Sequence, residues 1–176
     1  MYGMSVPAGE FRRWLDGLAA GGDTLDWDPA SEHAEFRAWI ASVYAGNGAM
    51  TMPWLERLIH ERRRDLVVHA LRRVKDRAEA ELGSFDGPAV TTVAPSDEEP
   101  NGIVRCGYGD RITELTSDRV TVTVADRVQD WIARDRRVVW PVCPEHGRGL
   151  HAMLDDGTPS WICGHTHHRV STIVDG

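Results

Sequence analysis

At 176 residues, with 41% hydrophobic and 27% charged side chains, the chain is long enough for one ordinary domain or two small ones, and too rich in apolar residues to be disordered. A net charge of −7 argues against nucleic-acid binding by the protein as a whole, because such binding rests on clustered Lys and Arg neutralising phosphates. No apolar run approaches the roughly 20 residues of a membrane-spanning helix, and the opening MYGMSVPAGEFRRW lacks the apolar centre of a secretory signal, so the expectation is a cytoplasmic protein with no membrane role.

Residues 1–82 read as a helical domain. Pro7 to about Ala20 carries Phe11, Trp14, Leu15 and Leu18 at helical spacing, with Gly21-Gly22 as its stop. A turn follows at Asp26-Trp27-Asp28-Pro29, where loop solvation accounts for the two carboxylates. Ser31 is placed to cap a second helix with Phe36, Trp39, Ile40 and Val43 on one face, ended by Gly46-Asn47-Gly48. Thr51 and Pro53 then open a long third helix, Met52 to Leu82. Its apolar series breaks at Arg62-Arg63-Arg64, which predicts a bend or an exposed crossing there. Eight basic and six acidic side chains between residues 53 and 82 describe a solvated, salt-bridged face rather than a phosphate-binding stripe. His60-Glu61 resembles the start of a zinc-protease helix, but Arg64 stands where the second histidine is needed, and His60 is expected on the helix surface. The basic residues are nineteen Arg and the single Lys75, a bias ascribed to a GC-rich genome.

Residues 83–102, with Gly87-Pro88, Pro95, Pro100 and the acidic run Asp97-Glu98-Glu99, read as a linker holding a short strand near Val90 to Ala94. Residues 103–176 then read as an α+β domain. Strands are expected at Ile103–Cys106, Arg111–Leu115 and Val120–Val124, the last because Val-Thr-Val-Thr-Val alternates. A helix from Asp126 to Asp135 presents Val128, Trp131 and Ile132 on one face. The fold class is therefore α+β: a helical bundle, then a small α+β part ending in a hairpin at residues 138–174.

That hairpin carries the chemistry. Three cysteines, an odd number without a secretion signal, point to metal binding or a buried thiol rather than to a disulfide framework. Cys143-Pro144-Glu145-His146-Gly147 has the form of a knuckle that aims two side chains at one point, its glycine permitting the tight turn. Sixteen residues separate His146 from Cys163, the interval usual between the halves of a zinc ribbon. Between them Leu150–Leu154 and Pro159–Ile162 flank a turn at Asp155-Asp156-Gly157. Trp140 and Trp161 flank the cysteines as cover or as core. In the second knuckle, Cys163-Gly164-His165-Thr166-His167-His168, the residue matching His146 is Thr166. The expected ligands of one structural zinc ion are therefore Cys143, His146 and Cys163, with His165 and His167 ranked level for the fourth place. His168 and Cys106 stay open as alternatives, Cys106 being read first as a buried thiol.

The run Trp140-Pro141-Val142-Cys143-Pro144-Glu145-His146-Gly147, with Asp156-Gly157 and Trp161-Ile162-Cys163, resembles a zinc-ribbon hairpin and the C-terminal segment of small uncharacterised bacterial proteins. The resemblance covers about residues 120 to 170 and implies a zinc site but no activity. Gly164-His165-Thr166-His167 matches the closing string of calcineurin-like phosphoesterases, yet the Asp-x-His and Asn-His ligands of that two-metal site are missing. Phosphate-loop, nucleophile-turn and dinucleotide signatures are also missing. The expected function is a non-enzymatic binding or adaptor protein that meets a protein partner through its helical part. A metal-dependent hydrolase with an open zinc site is the alternative. A nucleic-acid-binding ribbon is third, disfavoured by Asp155 and Asp156 at the hairpin tip.

Overall fold

Leu55, Ile59, Val67, Ala70, Val74 and Ala78 recur at three- and four-residue intervals, with one eight-residue gap, and form a buried stripe along one 31-residue helix. The computed structural model describes residues 8–20, 26–29, 31 and 33–174. The Gly21-Gly22 stop lies outside them. Four helices and five strands occur among the described residues: α1 (Ala8–Ala20), α2 (Ala34–Asn47), α3 (Met52–Leu82), β1 (Val90–Val93), β2 (Ile103–Cys106), α4 (Ser117–Asp135), β3 (Leu150–Asp155), β4 (Thr158–Cys163) and β5 (Arg169–Thr172). The fold is α+β.

The arginine triplet does not interrupt α3. Arg63 fills the eight-residue gap, four residues from both Ile59 and Val67, so it faces inward; it is 1% exposed, and its Nη2 donates to Asp26 Oδ1 at 2.9 Å and to the Thr113 carbonyl at 3.1 Å. A buried guanidinium is tolerable because it is paired. Arg62 donates to Glu35 at 2.7 Å, and Arg64 alone of the three is solvated in the manner expected. Asp26 is likewise an ion-pair partner within its loop rather than a solvated carboxylate. His60 is buried instead of lying on the surface, and burial holds its pKa below the usual histidine range.

The triplet marks a border between two apolar clusters. On its N-terminal side Leu55 and Ile59 pack with Leu18, Trp27, Phe36 and Ile40. On its C-terminal side Val67, Ala70, Val74 and Ala78 pack against α4, β2 and the C-terminal sheet. Glu35 ties three helices together. It accepts from Arg62 of α3, and from the backbone N–H and the hydroxyl of Ser117 at 2.8 and 2.9 Å, satisfying donors that the first turn of α4 leaves open.

Two expected strands are not strands. Val120 to Val124 lies in α4, where Val120, Thr121, Val124, Ala125, Val128 and Ile132 form the buried face. Alternation and helical periodicity both bury positions 120 and 124, so the pattern is ambiguous over five residues and resolved over thirteen. Thr121 donates its hydroxyl to the Ser117 carbonyl at 2.6 Å, a bond available only in a helix. Arg111 to Leu115 has no regular secondary structure and is joined to β2 by the Ile112 N–H to the Val104 carbonyl at 2.8 Å. Ile112 enters one cluster and Leu115 the other.

β1 and β2 form an antiparallel pair with Val90 opposite Cys106, and β3, β4 and β5 form an antiparallel sheet in that order. The β3–β4 turn is the two-residue Asp156-Gly157, with φ of 47° and 75°, as a primed hairpin turn requires. β5 has no counterpart in the expected elements. Arg77 of α3 fastens its end, donating to the Thr172 and Ile173 carbonyls.

Candidate metal centre

Two backbone turns build the centre, and they share one hydrogen-bond pattern. In the first, the Gly147 N–H donates to the Cys143 carbonyl at 2.8 Å, and the Cys143 N–H donates to the Arg148 carbonyl at 2.7 Å. In the second, the His167 N–H donates to the Cys163 carbonyl at 2.9 Å, and the Cys163 N–H donates to the His168 carbonyl at 2.9 Å. The fifth residue of each turn takes positive φ, 62° at Gly147 and 56° at His167. The β3–β4 hairpin sets the turns side by side, with Leu150 opposite Cys163.

Both turns deliver a thiol into one point of the core. Cys143 and Cys163 are fully buried, and His146 and His168 are half-buried. The four side chains each offer one donor atom, all within 4.8 Å of one another, so the group could hold one metal ion. His146 Nδ1 lies 3.4 Å from Cys143 Sγ and 3.6 Å from Cys163 Sγ, and His168 Nε2 lies 3.8 Å from Cys143 Sγ. The Cys163 thiol is held below the usual cysteine range, first by the backbone N–H of Thr166, with further hydrogen bonds from the His165 N–H, Cys143 and the Thr166 hydroxyl, while burial works against them. Backbone donors aimed at sulfur favour the thiolate, the form that binds metal.

The surroundings hold the turns rigid. Trp140 and Trp161 meet edge to face with centroids 5.5 Å apart, inside the main cluster. Trp140 Nε1 donates to Glu81 of α3 at 2.8 Å. Gln129 of α4 donates to the carbonyls of Trp140 and Leu150 at 3.1 and 2.8 Å, so one amide bridges the strand ends that carry the first turn. Both tryptophans are core that backs the site.

Of the expected ligands, Cys143, His146 and Cys163 come together. The fourth member is His168, in place of His165 or His167. The turn geometry gives the reason: His167 occupies the positive-φ corner and is exposed, while His168 starts the return into β5. His165 is exposed, its ring 5.1 Å from that of His146, and it lines an adjoining cleft of about 370 Å³ with Arg148, Gly149, His151 and Gly164. Cys106 is outside the group, buried on β2 in the main cluster, where burial pushes its thiol up to about 11. With Thr166 at the position matching His146, the sequence offered His165, His167 and His168 for the fourth place, and no spacing rule chose among them. Comparisons of the chain with protein-family models, with curated proteins and with solved structures give no match.

Proposed function

We propose that Cys143, His146, Cys163 and His168 hold one zinc ion, that the ion is structural, and that the chain is a non-enzymatic binding or adaptor protein. The spacing of the donor atoms carries the reading. Zinc bonds of about 2.3 Å to sulfur and about 2.0–2.1 Å to nitrogen put tetrahedral ligands roughly 3.3–3.8 Å apart. The separations of 3.4, 3.6 and 3.8 Å fall on those edges. Two thiolates and two imidazoles suit a borderline-soft cation and neutralise its charge.

Four protein donors fill a tetrahedral sphere, whereas a catalytic zinc keeps one position for water. The adjoining cleft is lined by none of the four donors. Both points support a structural ion over the hydrolase alternative. A nucleic-acid role finds no support at the hairpin tip, where Arg169 is already paired with Asp155 at 3.5 Å.

The helical part is where we place a protein partner. Trp54 is 63% exposed at the start of α3, and α1 and α2 border a cleft of about 510 Å³ lined by Phe11, Leu15, Phe36 and Ile40. Affinity capture from the native host should retain a partner on the wild type and lose it on Trp54→Glu; equal capture by both would remove this part. The compartment we propose is the cytoplasm, whose reducing conditions keep both thiols available.

Apparent zinc-binding energies of about 10–16 kcal/mol in small structural sites match or exceed a whole domain's stability of about 5–15 kcal/mol. Removal of the ion should therefore unfold the hairpin rather than loosen it. A strong chelator is expected to release zinc and abolish the near-ultraviolet circular dichroism of Trp140 and Trp161. An unchanged spectrum with no zinc released would overturn the reading.

A further inference from the structure

We propose that Thr166 is a positioning residue of the metal centre: its hydroxyl accepts the Nδ1 proton of His168 and so fixes the ring that presents Nε2 to the ion. This rests on the zinc reading above.

The two turns make the case. Matched by their hydrogen bonds, His146 corresponds to Thr166, Gly147 to His167 and Arg148 to His168. The second turn has thus lost an imidazole from the position the first one uses and gained one two residues later. An imidazole there starts from a different backbone position and must reach back, and a hydroxyl occupies the vacated place. Thr166 Oγ1 lies 2.6 Å from His168 Nδ1, while His168 Nε2 faces Cys143 Sγ at 3.8 Å.

The tautomer follows. A neutral imidazole has one lone-pair nitrogen, and the one facing the donor group is Nε2. The proton must then sit on Nδ1, which donates its hydrogen bond to the Thr166 oxygen. The same hydroxyl reaches Cys163, so one side chain connects two of the four donors. His168 needs such a tether because its side chain is 33% exposed and would otherwise be free to swing. Glu145 also stands near its ring, 4.0 Å from Nε2, too far to orient it by a hydrogen bond. Partners that orient metal-binding histidines in this way typically account for 10–100-fold in affinity.

The test is cobalt(II) titration of the full chain against a competing chelator, with Thr166→Val, Thr166→Ser and His168→Ala. The wild type should bind one cobalt with the visible bands of a tetrahedral site. Thr166→Val should bind about 10–100-fold more weakly with shifted bands. Thr166→Ser should restore both, and His168→Ala should bind more weakly than Thr166→Val. Ring ¹⁵N shifts of the zinc-loaded wild type should place the His168 proton on Nδ1, a readout that needs no variant to fold. Wild-type affinity in Thr166→Val, failure of Thr166→Ser to recover, or a proton on Nε2 would overturn the role of Thr166 and leave the zinc reading standing. A wild type that takes up no cobalt would overturn both.

Discussion

His167 holds a φ of 56° at the corner where the first turn has Gly147 at 62°. A side chain in that region costs on the order of 1 kcal/mol, which glycine avoids. His167→Gly should therefore raise unfolding free energy by up to about 1 kcal/mol with metal content unchanged; loss of metal would show that His167 is a ligand after all. Arg63 shows the opposite case, a residue whose burial depends on a partner. Asp26→Asn should cost about 3–5 kcal/mol in urea unfolding by leaving the guanidinium without its charge partner. Adding Arg63→Met should recover part of that loss, and a neutral Asp26→Asn would contradict the pairing. Cys143, His146 and Cys163 were legible because residue type and spacing specify them. His168 was not, because its place depends on the Cys163 N–H finding the His168 carbonyl, which no spacing rule states.

At the scale of elements, the close meeting of the β1–β2 pair with α3 is set by Gly102. A Cβ there would sit 2.6 Å from His60 Nδ1 and 2.7 Å from the Val93 carbonyl, at a φ of 63°. Gly157 has similar φ, 75°, and open space around it. Gly102→Ala should therefore destabilise by several kcal/mol and Gly157→Ala by about 1–2, the steric part making the difference. Equal losses in thermal or urea unfolding would refute the close packing. The three N-terminal helices and the β3–β4 hairpin could be read from the sequence, since apolar spacing and Asp-Gly turn chemistry are local signals. α4 was partly misread because Val-Thr-Val-Thr-Val satisfies two periods at once, and the longer buried face running on to Ile132 decides between them. β5 was missed because a segment of only four residues acquires strand geometry from β4, not from its own pattern.

Across the whole molecule, α3 contributes to both apolar clusters, and the larger cluster runs without a break from Val67 through α4 to Cys143, Trp161 and Cys163. The chain crosses from helical to mixed structure at residues 83–102, and we propose that crossing as a boundary in the sequence rather than a gap in the core. On the proposed reading the two cysteines are packing residues and ion-binding residues at once. On that reading the hairpin's stability and the backing of the site by Trp140 and Trp161 depend on an occupied centre. Elemental analysis of the purified, undenatured protein addresses this most directly. The account predicts one zinc per chain, falling to none in a Cys143→Ser, Cys163→Ser variant, whereas metal-free protein with an intact fold would contradict it.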